Sequence, residues 1–131
     1  MAYYDLEVAK VVEEVGRRGA KVVVIQAPDG LKAELKGLYD ALAAAGASPV
    51  ISADPCYGGC DLALPEASLL GADLVVHIGH AKFDDAPGRV PVLYVEARHL
   101  PGIGGLAEKA ASYLRERGVK RIGLLTSVQH R

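Results

Sequence analysis

Tryptophan is absent from this chain of 131 residues, and phenylalanine occurs once. Aliphatic side chains must therefore fill the core, and half of the residues are apolar. Nor is there an excess of charge: 15 Lys and Arg against 16 Asp and Glu leave a net charge of −1. No strong field is present to recruit nucleic acid or an anionic membrane, so neither is expected as a partner. No apolar run approaches the roughly 18 residues that a membrane span requires. The opening Met1–Asp5 has no basic region followed by an apolar one, so no signal peptide is expected and a cytoplasmic location is. Cysteine is nearly absent as well. The only two, Cys56 and Cys60, sit in one run, Asp54-Pro55-Cys56-Tyr57-Gly58-Gly59-Cys60-Asp61. Two thiols cannot by themselves close a structural zinc site or an iron–sulfur cluster.

Two nucleotide signatures are missing. No Gly-x-Gly-x-x-Gly follows the first strong strand, and no Gly-x-x-x-x-Gly-Lys-Ser/Thr occurs. Cys56 and Cys60 match the first spacing of a Cys-x-x-x-Cys-x-x-Cys cluster motif, but Ala63 stands at its third place. That cluster cannot be built locally.

What is present is an alternation of strands and helices. Leu6 to Arg18 places Leu6, Ala9, Val12 and Val15 at near-helical spacing, and Gly19 can end the helix. Lys21–Gln26 is a β-branched run of the kind buried on both faces of a sheet. A second helix is expected over Leu31–Ala45 and a short strand over Pro49–Ser52. A third helix is expected over Asp61–Leu70, with Pro65 tolerated in its first turns. Ala72–Ile78 and Val90–Val95 read as strands, Leu106–Arg117 as a helix and Lys120–Thr126 as a further strand. This order predicts an α/β fold, a three-layer parallel sheet of about four to five strands flanked by helices, Rossmann-like without the dinucleotide fingerprint. The chain is expected to hold one domain over 1–119, and 120–131 is expected to open a second domain of a longer protein.

Ligands of such sheets bind outside the carboxyl ends of the strands, and four loops leave that edge. After the first strand comes Gln26-Ala27-Pro28-Asp29-Gly30-Leu31, where Asp29 could cap the next helix. After the second comes the cysteine loop, whose Gly58 and Gly59 let backbone approach a ligand. Cys60 is expected where the following helix begins, at its positive end, which would favour the thiolate that binds iron or zinc. Equally, the two cysteines could be inert thiols. After the third strand comes His77-Ile78-Gly79-His80. Alternation is expected to send His77 and Gly79 to one face and His80 into the loop. With Cys60 these histidines could form a mixed zinc site. Glu96-Ala97-Arg98-His99, after the fourth strand, reads as a polar, solvated loop.

Gln26-x-Pro28-Asp29-Gly30-Leu31, Tyr57-Gly58-Gly59-Cys60-Asp61, Gly71-Ala72-Asp73-Leu74 and His77-x-Gly79-His80, in this order and spacing, resemble the diphthamide synthase family. More narrowly, the pattern is similar to the archaeal iron–sulfur 3-amino-3-carboxypropyl transferases. Thr126–His130 resembles the strand that opens that family's second domain. The resemblance implies three similar α/β domains around one site, each giving a cysteine to a 4Fe–4S cluster. Cys60 matches the first-domain ligand, and Cys56 would be accessory. Gly59 departs from the more common Ala, and Ala81-Lys82 departs from the Ser-Cys-like continuation of eukaryotic members. Neither departure removes an expected ligand. The implied activity is transfer of a 3-amino-3-carboxypropyl group from S-adenosylmethionine, by a radical route, to a histidine of translation elongation factor 2. A homodimer is implied too. Gln26, Asp29, Gly58, Gly59, His77, His80 and Gln129 are the residues expected around cluster and cofactor. Two competing readings use the same residues: a small zinc- or ligand-binding module built on Cys56, Cys60 and His80, and a purely structural domain with inert cysteines.

Overall fold

The computed structural model describes residues 3–83, 88–102 and 104–130. Its centre is a parallel sheet of four strands, β2 (Val22–Gln26), β3 (Ser48–Ile51), β4 (Leu74–Ile78) and β5 (Val92–Val95). The strands lie in the order β3-β2-β4-β5. Helix α1 (Val8–Arg18) precedes β2, and α2 (Asp29–Lys32) and α3 (Lys36–Ala44) link β2 to β3. Helix α4 (Leu64–Leu69) links β3 to β4. A short antiparallel ribbon, β1 (Tyr4–Asp5) with β6 (Arg98–His99), sits apart, and α5 (Leu106–Glu116) follows it.

Strand alternation divides the core into two layers. Val23, Ile25, Leu74, Val76 and Ile78 pack with Val11 and Val15 of α1 and Leu38 and Leu42 of α3. Val24 and Val75 point the other way, onto Ala63, Ala67 and Ala72 around α4. The expected three layers are thus present, with bulky residues on one side of the sheet and small ones on the other. The chain leaves β2 toward β3, then returns across the sheet to β4. The carboxyl ends of β2 and β4 therefore form the topological switch point, where open α/β sheets place their ligands.

The helices depart from expectation in three ways. The α1 stripe is Val8, Val11, Val12 and Val15, and Ala9 is exposed. The expected helix over Leu31–Ala45 is two helices. Between them Glu34 and Leu35 donate backbone N–H groups to Leu31 and Lys32, three residues back. That tight turn keeps Leu31, Leu35, Leu38 and Leu42 all buried. Helix α4 begins at Leu64 rather than Asp61, with Ala63 at its cap and Pro65 in its first turn.

Two strand expectations also change. Lys120–Thr126 forms no strand among the described residues, and Val128–His130 is a 3₁₀ turn. Arg98–His99, expected in a loop, pairs with Tyr4–Asp5, where Tyr4 meets the His99 ring edge-on at 5.3 Å. Segments of two residues carry no readable periodicity. At the amino edge of the sheet, Asp73 Oδ2 accepts N–H bonds from Lys21 at 2.7 Å and Val22 at 2.9 Å. These bonds hold the Asp73 carboxyl below its ordinary pKa. Among the described residues no helix is long and apolar enough to cross a membrane.

Candidate functional site at the switch point

Gln26 ends β2, and His77 lies directly opposite it on β4. Both face the α4 side, where the layer of small residues leaves room for polar groups. Both are buried, and His77 is fully so. The Gln26 side chain is held by α4's approach: Ala63 N–H donates to Oε1 at 2.9 Å, and Nε2 donates to the Asp61 carbonyl at 2.9 Å. His77 Nδ1 lies 2.9 Å from the same Oε1, and its Nε2 lies 3.0 Å from His80 Nδ1.

Gly79 makes the last of these contacts geometrically possible. Its φ of 91° is a left-handed conformation that side chains rarely adopt. It breaks the strand alternation that would have put Gly79 on the same face as His77. A Cβ there would meet Pro28 and Leu31 atoms at 3.1 Å, on the opposite side. The chain turns at Gly79, and His80 folds back beneath His77.

The cysteine loop closes over this pair. Lys32 Nζ donates to the carbonyls of Ala53 and Asp54 at 2.7 and 2.9 Å, and so ties the loop to α2. Asp61 bridges Tyr57 N–H through Oδ2 at 3.0 Å. Gly59 packs so closely that a Cβ would come 2.4 Å from the Ala81 carbonyl, so only glycine fits there without a shift of that backbone. Tyr94 reaches the Gly59 carbonyl from β5 at 3.5 Å. Lys32 and Tyr94 were not singled out in the sequence. Lys32 is three residues past Asp29 on one helix face, and Tyr94 is one polar tip in an apolar strand; neither spacing signals a site.

The two cysteines have opposite environments. Cys56 is buried, with Sγ 3.9 Å from both the Asp61 carbonyl and His80 Nδ1. Burial, helped by the Asp61 carboxylate, pushes its thiol pKa up. Cys60 is exposed and free. It lies three residues before the α4 cap, so the expected contact with a helix end is not made. Burial lowers the His77 pKa to about 4, with the neighbouring His80 adding to the shift and Asp61 opposing it. Burial lowers His80 too, again against Asp61. At neutral pH both imidazoles are uncharged.

The remaining expected residues divide. Gln129 donates through Nε2 to the Gly79 carbonyl, beside the His80 turn. Asp29 is the first residue of α2 rather than its cap, and its carboxylate pairs with Lys32 at 2.7 Å, away from the histidines. A pocket of about 310 Å³ opens between Pro28, Gly30 and Leu31, the Gly79–His80 turn, Gln129–His130 and Tyr4. Cys56, His77 and His80 bring their donor atoms within 4.8 Å of one another, a set that a soft cation could share. Cys60 is outside that set, so the trio of Cys56, Cys60 and His80 is not what the fold assembles.

A sequence profile of the diphthamide synthesis protein family matches residues 27–131. The chain belongs to the diphthamide synthesis family. Among its relatives in that family, the 2-(3-amino-3-carboxypropyl)histidine synthase of Pyrococcus horikoshii is 29% identical over 127 residues, 97% of this chain and 36% of the relative. Subunit 1 of the corresponding synthase of Gallus gallus is 34% identical over 95 residues, 70% of this chain and 23% of the relative. The crystal structure of Dph2 from Pyrococcus horikoshii superposes with a TM-score of 0.75 at 28% identity, covering 86% of this chain and 33% of that one. A second structure of that protein, with the same TM-score, carries a 4Fe–4S cluster. This chain therefore spans about a third of the length of these archaeal diphthamide synthesis relatives.

Proposed function

We propose that this chain is the first part of a 3-amino-3-carboxypropyl transferase of diphthamide synthesis, and that Cys60 is its ligand to a 4Fe–4S cluster. The observation that carries this is the contrast within one loop. Cys60 is free and exposed beside the switch point, whereas Cys56 is buried and held as a thiol. A cluster ligand must be a thiol that iron can reach, and of the two cysteines only Cys60 is exposed. One thiolate fits a cluster whose other ligands come from outside these residues.

When bound, such a cluster supplies an electron for cleaving S-adenosylmethionine, the proposed donor. The residues of this chain position and shield. Gly59 keeps the loop low against Ala81, Gly58 lies beside the Cys60 thiol, Lys32 anchors the loop's entry, and Gln26, His77 and His80 form an uncharged floor. The proposed acceptor is a histidine of translation elongation factor 2, the proposed assembly a homodimer, and the proposed location the cytoplasm. We place the domain limit near residue 119. The exposed Ile122, Leu124 and Leu125 support a strand that pairs with a sheet formed by further chain.

The test is anaerobic iron and sulfide reconstitution of the full-length gene product. Cys60→Ala is expected to abolish the cluster absorbance, and Cys56→Ala to spare most of it. Equal losses from both would sink the assignment of Cys60. A second reading, a zinc-binding module, is favoured only by the convergence of Cys56, His77 and His80. Stoichiometric zinc with no cluster would select it.

A further inference from the structure

The hydrogen bonds at the switch point fix the positions of protons that no coordinate shows. A backbone N–H can only donate, so the Gln26 atom facing Ala63 N is the oxygen. A carbonyl can only accept, so the atom facing Asp61 O is the amide nitrogen. Two backbone groups thus orient Gln26 without ambiguity. Its Oε1 can only accept, so His77 carries a proton on Nδ1. His77 is neutral, because burial holds its pKa near 4. Its Nε2 is therefore bare and accepts from His80 Nδ1–H. Burial lowers the His80 pKa as well, so at neutral pH that ring is neutral too, and the nitrogen left without a proton is Nε2.

We propose that Gln26 and His77 set the tautomer of His80, so that His80 offers Nε2 as an unprotonated acceptor at the pocket, for a ligand bearing an N–H donor. Which ring nitrogen of a histidine is bare follows from the bond made by the other. Both hydrogen-bond contacts of His80 among the described residues are made through Nδ1. Cys56 Sγ lies 3.9 Å from both His80 Nδ1 and the Asp61 carbonyl, and with Nδ1 protonated the carbonyl is the acceptor open to its S–H. Half-buried His80 lines the pocket of about 310 Å³. Gln129 lines it as well; one of its two amide N–H groups donates to the Gly79 carbonyl, and its Oε1 is a second acceptor. Two neutral acceptors suit a ligand that brings N–H donors. The transferase reading offers two such donors, the ammonium group of S-adenosylmethionine and the ring N–H of an acceptor histidine. The ligand's identity rests on that reading; the tautomer does not.

Two-bond ¹H–¹⁵N correlation spectra of the ¹⁵N-labelled chain at neutral pH read both tautomers directly. The expected result is a bare Nε2 on His77 and on His80. Gln26→Leu removes the acceptor and should return both rings to the Nε2–H form. His77→Phe, which keeps the buried volume, should return His80 alone. A proton on His80 Nε2 in the unmodified chain overturns the proposal, and so does an unchanged His80 in a folded variant of either kind. S-adenosylmethionine and 4-methylimidazole are then added separately, with acetate as the ligand lacking N–H. A shift of His80 Nε2 with one of the first two, and none with acetate, supports the acceptor role and names its source. No shift with either, or an equal shift with acetate, overturns it. A full-length protein that binds no cluster, with these tautomers intact, would remove the transferase reading and leave this inference standing.

Discussion

Val22–Gln26 and Lys120–Thr126 are similar stretches of sequence with opposite fates. Each is a short aliphatic run entered from a helix that stops at a glycine, Gly19 in one case and Gly118 in the other. The first is an inner strand of the sheet, paired on both sides, with Ile25 fully buried. The second has no strand partner among the described residues, and Leu125 is 97% exposed. Strand propensity is a preference for a pleated, half-buried surface. A run of apolar residues says that a strand can form; the neighbour decides whether one does.

The contrast can be broken by mutation. Ile25→Ala should cost about 2–5 kcal/mol, since it empties a filled site between β2 and the α1–α3 layer. Urea titration of the chain would show it as a lower midpoint at constant slope. A loss below about 1 kcal/mol would mean that the core collapses freely around β2.

Protonation probes the same region next. His77 has a lowered pKa in the folded chain, so the unfolded chain binds the proton more tightly. The stability it contributes is full above pH 6.5 and falls as the pH drops toward 4. The shift corresponds to a loss of about 3 kcal/mol across that window. Melts in metal-free buffer at several pH values should show a steeper slope in the native chain than in His77→Phe, where only His80 remains. Identical slopes would place the titration elsewhere.

Gly79→Ala should cost about 1–3 kcal/mol, because the left-handed turn resists a side chain and Pro28 and Leu31 block the space. It should also move the His80 resonances more than those of Val23 or Val24. At the other end of the scale, Leu125→Ser should change stability by no more than about 0.5 kcal/mol. A larger loss would show that Lys120–Thr126 packs on this domain after all.

Much of the frame was legible in the chain. A continuous β-branched run marked β2, an apolar run marked β4, and glycines marked helix ends. What escaped was whatever depends on a partner distant in sequence. The β1–β6 ribbon is two residues wide, and the break after Lys32 arises from keeping four leucines on one buried line. The site shows the same division. Gln26 and His77 could be picked out by their place at the strand ends. That they bond to each other depends on strand order and register, which no local pattern states. Cys60 and Cys56 differ by four positions and one glycine pair. Only the packing of Gly59 against Ala81, and of the Cys56 thiol against Asp61, tells the exposed thiol from the enclosed one.

Asp73 is the remaining clue to that register. It sits at the amino edge of the sheet, far along the strand from the histidines, and clamps the start of β2 to the start of β4. The two strands then run in step from Val23 opposite Leu74 to Gln26 opposite His77. A slip of one residue would turn Gln26 away from His77 and reverse every side chain of the strand. The carboxylate acts as the zero mark of a ruler. The alignment of amide and imidazole at one end of the sheet is measured out from a charge at the other.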